Sequence, residues 1–349
     1  MLTFFPMRDI PARIHGRTIE AENGVPLYFT GAAVELCVTG TELWLEYEAA
    51  QNGGDFLRIE IDGFEFIRFM LDAGVHRVCI FRHFPAAQTF RVRVLREMQA
   101  SGSALTIRGF LADGGFSEVP ARRHKIEFLG DSVTSGEGLA GAKSLDVWIP
   151  QVFSSRGNYA IAAADAVDAD YSIVSMSGWG LFSSWDNNRD NVIPAIYDKV
   201  CAPAGVHTPW SFDDGVDVVV IKLGANDGSA FGGKPYILPD GTEQQLRLGE
   251  DGKPHPDDLA LFIDAVNAFH ARLRALRPAA KQVWCVGRPD EKVMGYLRAA
   301  VEAFGDSNVH IVETPSATDE LRAARNHPSA AAHRIYADAL IAKLKEILD

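Results

Sequence analysis

Between Val25 and Ala112, apolar and polar residues alternate with period two in short runs separated by turn residues. This is the pattern of strands that bury one face. In residues 57–62, Leu57, Ile59 and Ile61 share one side while Arg58, Glu60 and Asp62 share the other. Asp62-Gly63 is a two-residue hairpin signal leading into residues 64–70. The alternation recurs in residues 43–47 and 90–94, where Val92 and Val94 oppose Arg91 and Arg93. About eight strands at short spacing, with no helical pattern, predict an all-β sandwich of jelly-roll type. Residues 112–120 (ADGGFSEVP) are the expected link to the second half of the chain.

After Arg123 the period changes. Buried-strand runs at 125–129, 171–176, 216–223, 282–286 and 308–312 alternate with helical patterns at 159–167, 257–276, 291–304 and 329–348. Such alternation predicts right-handed crossovers and a parallel sheet covered by helices on both faces. The expected organisation is a β-sandwich over residues 1–120 and an α/β domain over 121–349. Ligands of open parallel sheets bind at the carboxyl ends of the strands. A long Gly/Pro-rich insertion, residues 228–256, follows the third strand and reads as either a functional loop or a solvated excursion.

Composition narrows the function. With 349 residues and 47% of them hydrophobic, the chain can bury two cores. The net charge of −12 argues against nucleic acid or an anionic membrane as the main partner. The first Lys is Lys125, a shift that marks the expected boundary. Cys37, Cys79, Cys201 and Cys285 are far apart, which fits reduced thiols. No apolar run of leader length precedes Arg8, so a cytoplasmic protein is expected, or a secreted one if a leader was trimmed.

Four strand ends carry candidate chemistry. The first is Gly130-Asp131-Ser132, a serine in a strand-to-helix turn whose N–H groups can face an oxyanion. The second is Ser177-Gly178-Trp179-Gly180, and the third is Gly224-Ala225-Asn226-Asp227, where the Asn amide can also face an oxyanion. Asn326-His327-Pro328 lies before the last helix. Taken singly, the Gly-Asp-Ser triplet and the histidine read more readily as a turn or a cap than as catalytic, and Asn226 has the plain reading of an Asx turn. No GxSxG elbow, HExxH, phosphate loop or dinucleotide fingerprint is present, so no cofactor or metal is expected.

In order and spacing these blocks resemble the SGNH/GDSL hydrolases over residues 124–349, and the GDSVTSGEG run, the SGWG block and the preceding sandwich are similar to carbohydrate esterase family 2. The resemblance implies a flavodoxin-like three-layer α/β/α sheet and removal of O-acetyl groups from saccharides. It implies Ser132 as nucleophile, His327 as base, and an oxyanion hole from Ser132, Gly178 and Asn226. The family's usual Asp three residues before the histidine is Ala324 here. A backbone carbonyl near Asn326 is the expected substitute, with Asp319 and Glu320 as the nearest upstream carboxylates. Of Trp148, Trp179, Trp185 and Trp210, which fall in expected loops, Trp179 and Trp210 are the candidate substrate contacts together with Asp131. Alternatives are a lipid, thioester or aryl esterase of the same superfamily, or an inactive carbohydrate-binding protein.

Overall fold

A computed structural model describes residues 1–50, 54–100 and 105–348. Two antiparallel sheets make up the N-terminal part. One runs Thr3–Pro6, Leu105–Ala112, Leu43–Ala49, Gly74–Phe81, and the other Gly115–Ser117, Ala33–Gly40, Gln88–Arg96, Phe56–Ile61, Phe64–Met70. Inward-facing residues such as Leu36, Val38, Leu45, Ile59, Val92, Val94 and Phe110 form one core between them. The hairpin expected at Asp62-Gly63 is present, with both residues at positive φ (50° and 84°). Thr3–Pro6, Arg13–His15 and Gly115–Ser117 exceed the expected set because strands of three or four residues show no readable period. Gly115–Ser117 lies inside the expected link and pairs with Ala33–Gly40.

The second half holds a five-stranded parallel sheet in the order Ala169–Ser175, His124–Gly130, Val218–Lys222, Lys281–Val286, Val309–Glu313. Alternate residues of its central strands go to opposite faces. Val218 and Val220 pack under the helices Tyr159–Ala166 and Ala330–Leu348, and Val219 and Ile221 pack under Pro256–Leu276 and Met294–Glu302. The serine-bearing strand lies between the second and third, so the chain reverses direction across the sheet there and leaves a crevice at the carboxyl ends. The insertion is pinned: Asn187 donates to the Ala230 and Lys234 carbonyls and accepts from Leu246 N. Among the described residues, no helix is long and apolar enough to cross a membrane.

Polar residues stitch the two halves together. The Arg58 and Glu60 side of Phe56–Ile61 is buried, with Arg58 donating to Ser155 Oγ at 2.9 Å. Glu127, buried on one face of the sheet, accepts from Arg17 (2.9 Å), Arg277 (3.0 Å) and the Tyr197 hydroxyl (2.7 Å). Burial pushes its carboxyl up, but Arg17 and Arg277 outweigh that and hold it below the usual range.

Candidate active site

The strand His124–Gly130 delivers Ser132 as the first residue of a one-turn helix, Ser132–Ser135. Asp131 caps that helix, its carboxylate accepting from Val133 N at 3.0 Å. Burial pushes the Asp131 carboxyl up, opposed by Lys222, the Val133 N–H and His327. Asp131 is therefore a buried cap that shapes the serine turn. Among the described residues, no intramolecular hydrogen bond engages the N–H of Ser132 or of Gly178.

His327 follows a loop with two consecutive left-handed residues, Arg325 (φ 53°) and Asn326 (φ 58°). Left-handed backbone at non-glycine residues is costly and marks a constrained site. Here it turns the Arg325 carbonyl back onto its neighbour's ring, 2.9 Å from His327 Nδ1. A carbonyl only accepts, so Nδ1 carries the proton and Nε2 keeps its lone pair. The loop is tied at both ends, with Arg325 N donating to Leu145 O and Ala323 N to His327 O. Gly138 lies against it: a Cβ there would sit 2.7 Å from His327 Cβ, and its φ of +90° favours glycine. Asp319 is exposed and paired with Lys143, away from the imidazole.

Two clamps hold the loop after Ala169–Ser175. Asn226 Nδ2 donates to Trp179 O at 2.8 Å, leaving its second amide hydrogen free. Asp227, fully buried, accepts from the N–H groups of Leu181, Phe182 and Ser183 at 2.8–2.9 Å. Burial pushes its carboxyl up and those three donors oppose the shift. Gly178 has φ +82°, and a Cβ there would meet Trp185 Cδ1 at 2.8 Å.

The tryptophans separate by position. Trp185 is 61% exposed with its indole against Gly178, and its backbone N–H donates to the Gly178 carbonyl at 3.0 Å. Trp179 is half-buried, packed on the core, and contributes its carbonyl to Asn226. Trp210 lies over Arg17, 5.3 Å from Cζ to ring centroid, in the cluster around Glu127. That contact occupies one π face of the Trp210 ring.

Glu137 and Asp227 escaped the sequence reading. Glu137 accepts from Arg325 Nε at 2.5 Å, and its other oxygen is 3.8 Å from His327 Nε2. The available signals were a carboxylate between Gly136 and Gly138, and the Asp following Asn226.

Comparison with known proteins gives consistent results. Residues 128–335 match the GDSL-like lipase/acylhydrolase family. An acetyl xylan esterase structure from Butyrivibrio proteoclasticus superposes with TM-score 0.93 and 32% identity, covering 100% of this chain and 99% of that one. A family two carbohydrate esterase from Clostridium thermocellum, in complex with cellohexaose, shares the fold at TM-score 0.82 and 23% identity, over 97% of this chain and 99% of that one. An acetylxylan esterase / glucomannan deacetylase of Cellvibrio japonicus is 28% identical over 63% of this chain and 62% of its own length. A cellulase/esterase of Acetivibrio thermocellus is 26% identical over 93% of this chain, which spans 38% of that protein.

Proposed function

Since this chain belongs to the GDSL-like lipase/acylhydrolase family, we propose that it is a serine esterase that removes O-acetyl groups from saccharides through an acetyl-enzyme. The observation that carries the reading is the His327–Arg325 contact, which sets the tautomer a general base requires without an acidic third residue. His327 Nε2 takes the Ser132 hydroxyl proton as Oγ attacks the acetyl carbonyl. The N–H groups of Ser132 and Gly178 and the free Asn226 amide hydrogen receive the oxyanion. Collapse expels the sugar alkoxide, which takes the proton from His327. Water activated by His327 then attacks the acetyl-enzyme, releasing acetate and restoring Ser132. Glu137 supplies an anionic neighbour for the transient imidazolium, tempered by Arg325.

The relatives' names support an acetylated polysaccharide substrate, and so does an exposed indole beside the oxyanion glycine. Trp185 takes the stacking role expected of Trp179, since a flat, accessible indole can cover the apolar face of a pyranose. Trp185→Ala is expected to raise KM for an acetylated oligosaccharide several-fold while leaving an aryl acetate's KM unchanged; equal effects on both would remove the sugar-stacking role. Asn226→Ala is expected to lower kcat about 10²–10³-fold, the usual effect of one lost oxyanion donor. Unchanged kcat would take Asn226 out of the oxyanion hole.

We read residues 1–120 as a jelly roll and 121–349 as the hydrolase domain. Supporting the first, the strands from Ala33–Gly40 to Leu105–Ala112 pass between the sheets as two interlocked Greek keys require. Mass-spectrometric deacetylation of defined acetylated xylo- and manno-oligosaccharides, with longer acyl esters alongside, tests the substrate class. Faster turnover of long-chain esters would favour a lipid or thioester hydrolase, and no turnover of any ester a binding protein.

A further inference from the structure

One four-residue stretch of the N-terminal part, Glu97 to Ala100, reaches the Gly178 and His327 loops directly and the serine turn through Ser154. Glu97, fully buried, accepts from Ser154 Oγ at 2.7 Å and from Ser155 N at 3.0 Å, and Ser154 N in turn donates to Gly136 O in the serine turn. Met98 packs with Val152, Phe153 and Ala324, three residues before His327. Gln99, 5% exposed, accepts at its Oε1 from Ser177 N at 2.8 Å, one residue before Gly178. Ala100 joins the core that holds Met176. Chemically, Gln99 is the member with the most to do. Gln99 Oε1 satisfies the Ser177 N–H, so the Met176–Ser177 peptide, one before the peptide that carries the Gly178 N–H, is held from the other half of the molecule.

We propose that Gln99 is a positioning residue for the oxyanion N–H of Gly178, which makes the N-terminal domain part of the catalytic apparatus rather than an appended module. The proposal rests on the assignment of Ser132 and Gly178 to the active site. The turn keeps its Trp179 N to Met176 O and Trp185 N to Gly178 O bonds, but without the Gln99 acceptor the Ser177 N–H loses its partner and the turn is expected to shift, and displacement of a donor by about 1 Å costs up to about 10²-fold in rate. The Gly178 N–H is called on by the oxyanion, which forms only after the serine attacks, so the loss is expected to fall on kcat.

The test compares wild type, Gln99→Met, Gln99→Asn and Gln99→Glu in the full chain on 4-nitrophenyl acetate. Active sites are titrated with an organophosphonate that labels the nucleophilic serine. Gln99→Met removes the acceptor at constant volume, and Gln99→Asn withdraws it; each is expected to lower kcat per titrated site about 10²-fold with KM within a factor of about two. Gln99→Glu restores an acceptor and is expected to return kcat to within a few-fold of wild type. If Gln99→Met does not fold, Gln99→Asn carries the same comparison. Wild-type kcat per titrated site in the acceptor-less variants, even with a lowered Tm, overturns the proposal, as does a change confined to KM. Ser132→Ala is measured in parallel: full activity there would void the underlying active-site assignment, whereas an inactive Ser132→Ala beside a fully active Gln99→Met would void only the role of Gln99.

Discussion

Ser132→Ala is expected to lower kcat for deacetylation by about 10⁴-fold or more, because no other group can form the acyl-enzyme and residual catalysis comes only from the oxyanion donors. Ser132 is largely buried, so alanine fills its place without opening a cavity, and folding is expected to be retained. The measurement is single-turnover hydrolysis of an aryl acetate together with mass-spectrometric detection of the acetyl adduct in the wild type. A variant that keeps more than a tenth of the wild-type rate would show that Ser132 is not the nucleophile. The same comparison on a defined acetylated oligosaccharide ties the saccharide activity to this serine.

The largest stability effect is expected at Glu127. Replacing it with Gln leaves Arg17 and Arg277, 0% and 3% exposed, without the carboxylate that lies between them. Breaking a buried pair in this way typically costs about 3–5 kcal/mol, because an uncompensated charge stays in low dielectric. That corresponds to a Tm lowered on the order of 10 °C. Asp214 still pairs with Arg277 at 2.6 Å, so Arg17 bears most of the loss. The pH dependence has a definite sign. Glu127 is held below the usual carboxylate range in the folded protein, so the unfolded chain binds its proton first. The stabilisation is complete above the unfolded value of about 4.3 and is lost as pH falls through the folded one. The gap in Tm between wild type and Glu127→Gln is therefore expected to be constant near neutrality and to narrow below about pH 4. An unchanged Tm at pH 7 would show that the cluster is energetically neutral.

The strands of the parallel sheet were legible because each is a short, mostly apolar run rich in β-branched and aromatic residues and bounded by turn residues. The expected 282–286 and observed Lys281–Val286 differ by one residue. The short strands at the chain's beginning and inside the link were not legible, since three residues show no alternation. The polar face of Phe56–Ile61 illustrates a further gap. Alternation showed that Arg58 and Glu60 share a side, but only packing against Ser155 shows that this side is buried.

In the site, local chemistry again went as far as spacing allows. Glycine, serine, asparagine and histidine at four strand ends mark positions where donors and a base converge once a parallel sheet forms. The missing carboxylate at Ala324 pointed to a backbone acceptor near Asn326, and the acceptor present is the Arg325 carbonyl. Among the aromatic residues, sequence context favoured Trp179 and Trp210, whereas exposure and the contact with Gly178 favour Trp185.

The sequence by itself determined the period of each half, the order of the parallel strands' chemistry and the loss of the usual acidic partner, all of which depend on neighbours within a few residues. The tertiary structure alone decided which polar groups meet: Glu127 with Arg17, Glu137 with Arg325, Gln99 with Ser177. Such pairs join residues far apart in the chain, and each is fixed by the demand that a buried donor or acceptor find a partner. That demand can be read only after the chain is folded.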